Sequence, residues 1–306
     1  MRKTIYQLLI LSSIGFVCYY LYKNDLFTIP KIYNYGYLIF SCILLYVANF
    51  FQAINWRLIL KLNKISVSTK DSFISIGLSI LAKYVPGKIW LIIGRSEYIS
   101  QKYEVSGVKT SIISLHLQIL VIWSGLLLGI TGIILSPDLQ NFEYLNTAMI
   151  ALGILSLFAF TPYFYKFIDL AASKLLKKET KFSSISILNI IKLLPVLITY
   201  WLLFTVSLYF FGNSISSITG YFSFQGALSY PVAGAIGTLA IFLPGGLGLR
   251  EAIITAYLTL LGYSLDYSIT LSISSRIWFV SIEFLYFLSA FITDRFKPSP
   301  SLGISL

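Results

Sequence analysis

Long apolar blocks separated by short polar runs make up most of the chain, and they are of two kinds. Six run unbroken for roughly the 20 residues that a helix needs to cross a hydrocarbon core about 30 Å thick. They are residues 4–22, 37–56, 111–135, 145–165, 193–211 and 268–292. Arg2 and Lys3 precede the first, as in a secretory signal. That block ends in Tyr19-Tyr20-Leu21-Tyr22-Lys23 without a small-residue cleavage site, which predicts a retained anchor. Two further blocks are interrupted. Residues 72–94 are split by Pro86-Gly87, and at 1.5 Å per residue the longer arm reaches only about 21 Å. Residues 226–263 are punctuated by Pro231, Gly234 and Gly237, then by Leu243-Pro244-Gly245-Gly246-Leu247-Gly248. Proline removes a backbone donor and glycine permits unusual dihedrals, so non-helical backbone is expected at both places. Such backbone is tolerated at membrane depth only where protein or a wet cavity surrounds it. The pattern therefore predicts an all-α polytopic membrane protein of six full spans and two broken, re-entrant helix hairpins.

Composition agrees. Of 306 residues, 57% are hydrophobic and 11% charged, and mean hydropathy is +0.81. That is too apolar for a soluble domain, which has about a quarter of its residues charged. The net charge of +11 does not point to nucleic acid, because the basic residues lie between apolar blocks rather than in one patch. Cys18 and Cys42 fall inside predicted spans, where packing as small hydrophobes accounts for them.

The distribution of charge decides the topology. If neither hairpin crosses, one side carries Arg2 and Lys3, the basic residues of 57–70 and 95–109, six lysines between 166 and 192, and Arg295 and Lys297. The other side carries Lys23 and Lys31. Lysine and arginine concentrate on the cytoplasmic side, so both termini are expected there, in a prokaryotic cytoplasmic membrane. Letting residues 72–94 cross alone puts the basic loop 95–110 outside, and letting both broken blocks cross puts loop 166–192 outside as well. The hairpins then point in opposite directions, the arrangement of inverted repeats in many transporters. Arg95 and Glu97 follow Pro86-Gly87 at a different spacing from Arg250 and Glu251 after Pro244-Gly245, so the repeat is left open.

Charged side chains in the hydrocarbon cost about 2.5–3.5 kcal/mol each on insertion scales. Lys83, Lys88, Arg250, Glu251, Arg276 and Glu283 are the candidates, and His116 is a candidate titrating group. Helix amino termini at the breaks add positive partial charge. A cationic, low-dielectric cavity calls for an anion, and a lipid phosphate is the anion with a reason to be inside a membrane. Plainer readings stand beside this one. Lys83 and Lys88 could snorkel to headgroups, Arg250 and Glu251 could pair locally, and His116 could be a hydrogen-bonded packing residue. Arg276 and Glu283 share a helical face but are about 10 Å apart along it, so each needs a partner from another helix. The crossed pairs Arg276–Glu251 and Glu283–Arg250 are expected. The many Tyr and Phe side chains read mostly as interfacial belts and helix packing.

Other chemistry finds little support. One histidine and no cysteine–histidine cluster make a metal site unexpected, and Gly245-Gly246-Leu247-Gly248 lacks the Lys-Ser/Thr of a P-loop. No cofactor is expected. A membrane-embedded transferase using Glu251, Glu283 or His116 as base has nothing specific in its favour.

Lys83-Tyr84-Val85-Pro86-Gly87-Lys88-Ile89-Trp90, continuing to Gly94-Arg95, and Leu243-Pro244-Gly245-Gly246-Leu247-Gly248-Leu249-Arg250-Glu251-Ala252 resemble the flippase-like membrane domain of lysylphosphatidylglycerol synthases. Asn55-Trp56-Arg57 also looks like the family pattern. The resemblance implies one flippase-like domain over residues 1–295, followed by a short cytoplasmic tail at 296–306. It implies movement of an anionic lipid between leaflets, with Arg95, Arg250 and Glu251 along the lipid path and Pro86, Gly87, Pro244, Gly245, Gly246 and Gly248 as breaks. In the family a separate cytoplasmic domain attaches the amino acid, and no such domain is expected here, so aminoacyl transfer is not carried over. Lys88 stands where family members often have a small residue, a departure that bears on head-group preference.

The leading expectation is a translocator or scramblase for a phosphate-bearing lipid, either a phospholipid or a polyprenyl-linked envelope precursor. Its energy source is unreadable; His116 and Glu283 are the candidates for proton coupling. Expected partners are membrane lipids, not nucleic acid. A second reading is an accessory subunit that docks an envelope lipid synthase or glycosyltransferase through the basic loop 166–192. A homo-oligomer is left open.

Overall fold

The computed structural model describes residues 30–85, 89–136, 145–161, 187–218, 220–240 and 243–295, together with 163, 164, 166, 167 and 170. The first expected span, Pro86, Gly87 and Lys88, most of the lysine-bearing loop and the tail 296–306 lie outside these residues. Among the described residues every regular element is helical.

Local chemistry sets where the helices start. Asn34 accepts from the Tyr37 amide at 3.0 Å and opens α1 (Tyr35–Leu62). Ser68 accepts from the Asp71 amide at 3.0 Å and opens α2 (Thr69–Ser79), which tightens into a 3₁₀ segment at Ile80–Tyr84. An N-cap hydroxyl satisfies one of the amides that a first turn leaves without a carbonyl. Next come α3 (Ile89–Tyr103), α4 (Gly107–Leu135), α5 (Leu145–Phe160), α6 (Ile187–Ile191) and α7 (Leu194–Ser214). The chain continues through α8 (Phe224–Ala227), α9 (Ser229–Leu239), a 3₁₀ turn at Pro244–Gly246, α10 (Leu249–Leu260) and α11 (Leu265–Arg295). Among the described residues, four stretches are long and apolar enough to cross a membrane: α1, α4, Ile187–Ser214 and α11. The fourth expected span, residues 145–165, is represented by α5, whose 16 residues amount to about 24 Å of helix.

Helices α1 and α7 run antiparallel. Ser207 Oγ donates to the Ser41 carbonyl at 2.7 Å, and the Tyr33 amide donates to the Ser214 carbonyl at 2.8 Å. Helix α4 carries Gly125, Gly129 and Gly132 on one face, the small-residue spacing that lets helices approach closely in membranes. A methyl group at Gly129 would lie 2.0 Å from Val232 of α9, and one at Gly125 would lie 2.7 Å from the Trp201 ring of α7.

The two ends of the bundle differ. At one end Asp71, Lys102, Tyr98 and Asp294 meet, so both ends of the first broken pair, α2 and α3, lie beside the carboxyl end of α11. Arg57, Lys61, Lys64, Lys70, Lys109 and Arg295 lie close by in sequence. At the other end Tyr221, Tyr263 and Tyr267 cluster, and the Tyr263 hydroxyl accepts from the Ser223 amide. Both ends of the second broken pair, α9 and α10, lie there.

One expectation needs correcting. Pro231, Gly234 and Gly237 do not break the chain; all three are inside α9. Pro231 sits in the first turn, where its missing amide has no carbonyl to reach. The glycines are there for contact: a methyl at Gly234 would meet Trp201 at 2.8 Å, and one at Gly237 would meet the Arg250 stem at 2.3 Å. The real interruption follows, with Gly245, Gly246 and Gly248 at φ of 57°, 73° and 82°. Glycine populates that region without steric cost.

Candidate functional site

The 3₁₀ segment that leads to the first break meets the turn that makes the second. The Tyr84 ring rests against Gly245, where a methyl group would come within 2.5 Å of it. The Gly245 carbonyl, freed by the non-helical turn, accepts from Arg276 Nη2 at 2.8 Å. This contact lies beside the midpoint of α11, and a cavity of about 440 Å³ opens next to it. Its walls come from halfway along the long helices: Asn49 and Gln52 of α1, Gln118 of α4, Tyr200, Trp201 and Phe204 of α7, and Phe279 and Glu283 of α11. Lys83 and Gly245 line it from one broken pair and the other's interruption, and Tyr230 and Arg250 from the second pair.

Glu283 is 1% exposed. It takes Lys83 on one oxygen and the Tyr84 hydroxyl, at 2.8 Å, on the other. The expected Glu283–Arg250 pair is therefore replaced by Glu283–Lys83: the first hairpin's 3₁₀ segment brings Lys83 to the carboxylate before α10 can. Lys83 does not snorkel, since its ammonium also lies 4.4 Å from the Phe279 ring centroid. The other crossed pair is present, with Arg276 Nε 3.6 Å from Glu251 Oε1. It is a loose pair, for neither Arg276 Nε nor Glu251 Oε2 has a hydrogen-bond partner.

Arg250 stands apart. It has no ion-pair partner among the described residues. Its stem runs over Gly237, and its guanidinium lies 5.0 Å from the Tyr230 ring centroid and 4.7 Å from that of Phe279. Cation–π contacts hold such a group without neutralising it. Around the cavity, Lys83, Arg250 and Arg276 against Glu251 and Glu283 leave one surplus positive charge, and Arg95 is a second buried cation without an ion-pair partner among the described residues.

The remaining expected residues are placed elsewhere. Arg95 is fully buried below the cavity, bonded to the Ser114 hydroxyl and carbonyl, and lies 5.2 Å from the Trp56 ring centroid. Trp56 in turn donates to Ser75, which donates to the Arg95 carbonyl at 2.8 Å. These contacts knit α1, α2, α3 and α4 together. His116 is buried and stacks on Phe164 at 4.5 Å, outside the cavity lining. Glu251 and Arg276 line a smaller void behind Arg250. Lys88 lies outside the described residues.

Sequence reading passed over the cavity's aromatic walls and its amides. A usable signal was present in Asn49 and Gln52, three residues apart on one face of a span, and in Gln118 within another.

A family model described as Lysylphosphatidylglycerol synthase TM region matches residues 5–282. No curated protein and no solved structure matches the chain.

Proposed function

Because this chain belongs to the lysylphosphatidylglycerol synthase TM region family, a family of membrane domains, we propose that it moves a phosphate-bearing lipid between leaflets, with the head group bound in the cavity at Arg250. The observation that carries this reading is Arg250 itself, a half-buried guanidinium at mid-bundle with aromatic neighbours and no carboxylate within ion-pair distance among the described residues. Isolated charges in hydrocarbon are expensive and mark ligand paths. Guanidinium and phosphate form paired, charge-assisted hydrogen bonds, and a site closed to water strengthens them.

The same reading orients the protein. Lysine and arginine favour the cytoplasmic side, so the end bearing Lys61, Lys64, Lys70 and Lys109 faces the cytoplasm, and both termini follow. The α2–α3 pair then enters and leaves from the cytoplasm and the α9–α10 pair from outside, each too short to cross, with Tyr84 of the first touching Gly245 of the second at mid-membrane. A head group reaching Arg250 from either leaflet would pass only one of the two. If movement is coupled to protons, the role falls to Glu283, which faces the cavity, rather than to His116, which does not.

The test is lipid flipping in proteoliposomes, run in parallel with a fluorescent phospholipid and a polyprenyl phosphate. A hydrogen bond to a charged group contributes about 1.5–3 kcal/mol, so Arg250→Ala is expected to slow transfer by about tenfold or more while the protein stays folded. Equal rates for wild type and variant remove the assignment, and the lipid that responds identifies the substrate class.

A further inference from the structure

A second, larger depression lies on the far side of Arg250. It is a groove of about 700 Å³ between α10 and α11, and its lining is almost wholly apolar. Gly248, Ala252 and Ala256, spaced by four residues along α10, form its narrow floor, and Ile269 of α11 forms part of its wall. One polar rung holds the two helices together across it, Thr255 Oγ1 to Ser272 Oγ at 2.9 Å.

The groove adjoins the candidate site. Glu251 lines both the groove and the small void behind Arg250. Tyr230, Arg250 and Phe279 line both that void and the main cavity. The loose Glu251–Arg276 pair is therefore the partition between an apolar channel and a cationic chamber, and it has unused hydrogen-bonding capacity in Glu251 Oε2 and Arg276 Nε. A chamber of about 440 Å³ suits a head group, so the hydrocarbon of a lipid held at Arg250 must lie elsewhere. The adjoining groove runs along α10, whose twelve residues amount to about 18 Å. Its small-residue floor favours an unbranched chain over a methyl-branched one.

We infer that the α10–α11 groove seats one acyl chain of a phospholipid whose phosphate is held at Arg250, with the Glu251–Arg276 pair as the partition between chain and head group. The inference rests on the proposed function and adds where the chain lies and that it is acyl.

The experiment uses the full chain in proteoliposomes containing phosphatidylglycerol with a photoactivatable group near the end of one acyl chain. After irradiation and digestion, adducts are mapped by mass spectrometry. Labelling of residues 248–273 is expected to exceed that of the apolar helix at 145–160 several-fold. It should fall to the level of that helix in Ala256→Trp, a substitution at an exposed position that fills the floor. A melting temperature equal to wild type will show that this variant is folded. Even labelling of both regions in the wild type overturns the inference, as does undiminished groove labelling in Ala256→Trp. The readout is chain position and not movement. A protein labelled in the groove whose flipping ignores Arg250→Ala would refute the functional reading alone. One that flips through Arg250 with even labelling would refute the groove alone.

Discussion

Two clusters of charge tie helices together in this protein, one at the basic end and one at mid-bundle, and they are completed to different degrees. At the basic end Asp71 is saturated. Lys102 and Tyr98 donate to Oδ1, Tyr103 at 2.7 Å and Ser68 at 2.8 Å donate to Oδ2, and Tyr98 also reaches Asp294. At mid-bundle Glu283 is just as complete, but the groups around it are not. Arg250 has only ring faces, the Arg276–Glu251 contact is long, and atoms on both partners of that contact lack hydrogen bonds. A finished network fixes helices; an unfinished one, buried where water is scarce, is a place for a ligand. Buried polar groups are normally satisfied, so the unpaired Glu251 Oε2 and Arg276 Nε behind Arg250 carry more information than the count of charges there.

Removing the one complete element of the mid-bundle cluster should have the largest effect. Glu283→Ala strands Lys83 in a mostly dry site, and losing one partner of a buried pair costs about 3–5 kcal/mol. Thermal denaturation in detergent should show a large drop in melting temperature. The double variant Lys83→Met/Glu283→Leu should recover most of it without recovering lipid transfer. If the double variant is as unstable as the single one, the pair is not what holds the first broken pair to α11.

Gly237→Ala probes the unfinished side. Its methyl group would overlap the Arg250 stem, and overpacking costs about 1–3 kcal/mol. Flipping should fall nearly as far as in Arg250→Ala, while Gly153→Ala, at a helical position of α5 with open space around it, should leave transfer intact. Transfer unchanged in Gly237→Ala would mean that the guanidinium need not stay between the rings.

The smallest effect belongs to the finished cluster. Asp71→Asn should lower stability by about 1 kcal/mol and leave flipping unchanged. Burial pushes the Asp71 carboxyl up, but the hydrogen bonds from Lys102, Tyr103 and Ser68 outweigh it and hold the group below the ordinary carboxylate range. The stabilisation is therefore present in full above the unfolded-state value of about 3.9 and is lost as pH falls below it. Melting curves of wild type and Asp71→Asn should converge as the buffer is taken from pH 5 toward pH 3. Curves that stay parallel would remove this carboxylate from the ledger of acid stability.

Much of this architecture was legible in the chain. The break at Pro244–Gly248 follows from residue types that only an irregular backbone needs, and the Arg276–Glu251 pair follows from the cost of leaving Arg276 alone in hydrocarbon. What could not be read depended on which groups arrive first at a shared point. Glu283 had two candidate cations, and choosing Lys83 over Arg250 requires knowing that the 3₁₀ segment Ile80–Tyr84 reaches α11. Gly234 and Gly237 look like breaks because a glycine that admits a neighbour and a glycine that turns the backbone are the same letter. Arg95 carried a family motif, yet its partners, Ser114 and Trp56, make it a cross-brace below the cavity.

The ring of Tyr84 fills the space that a side chain at position 245 would occupy, and that fact has a mechanical side. The two interrupted pairs abut at a hard contact, so neither can lean inward over the cavity without pushing the other out. Whatever one pair does at its tip is delivered to the opposite pair as displacement, across a bearing with a single ring for its surface. A shift of one interrupted pair is thereby geared to a shift of the other.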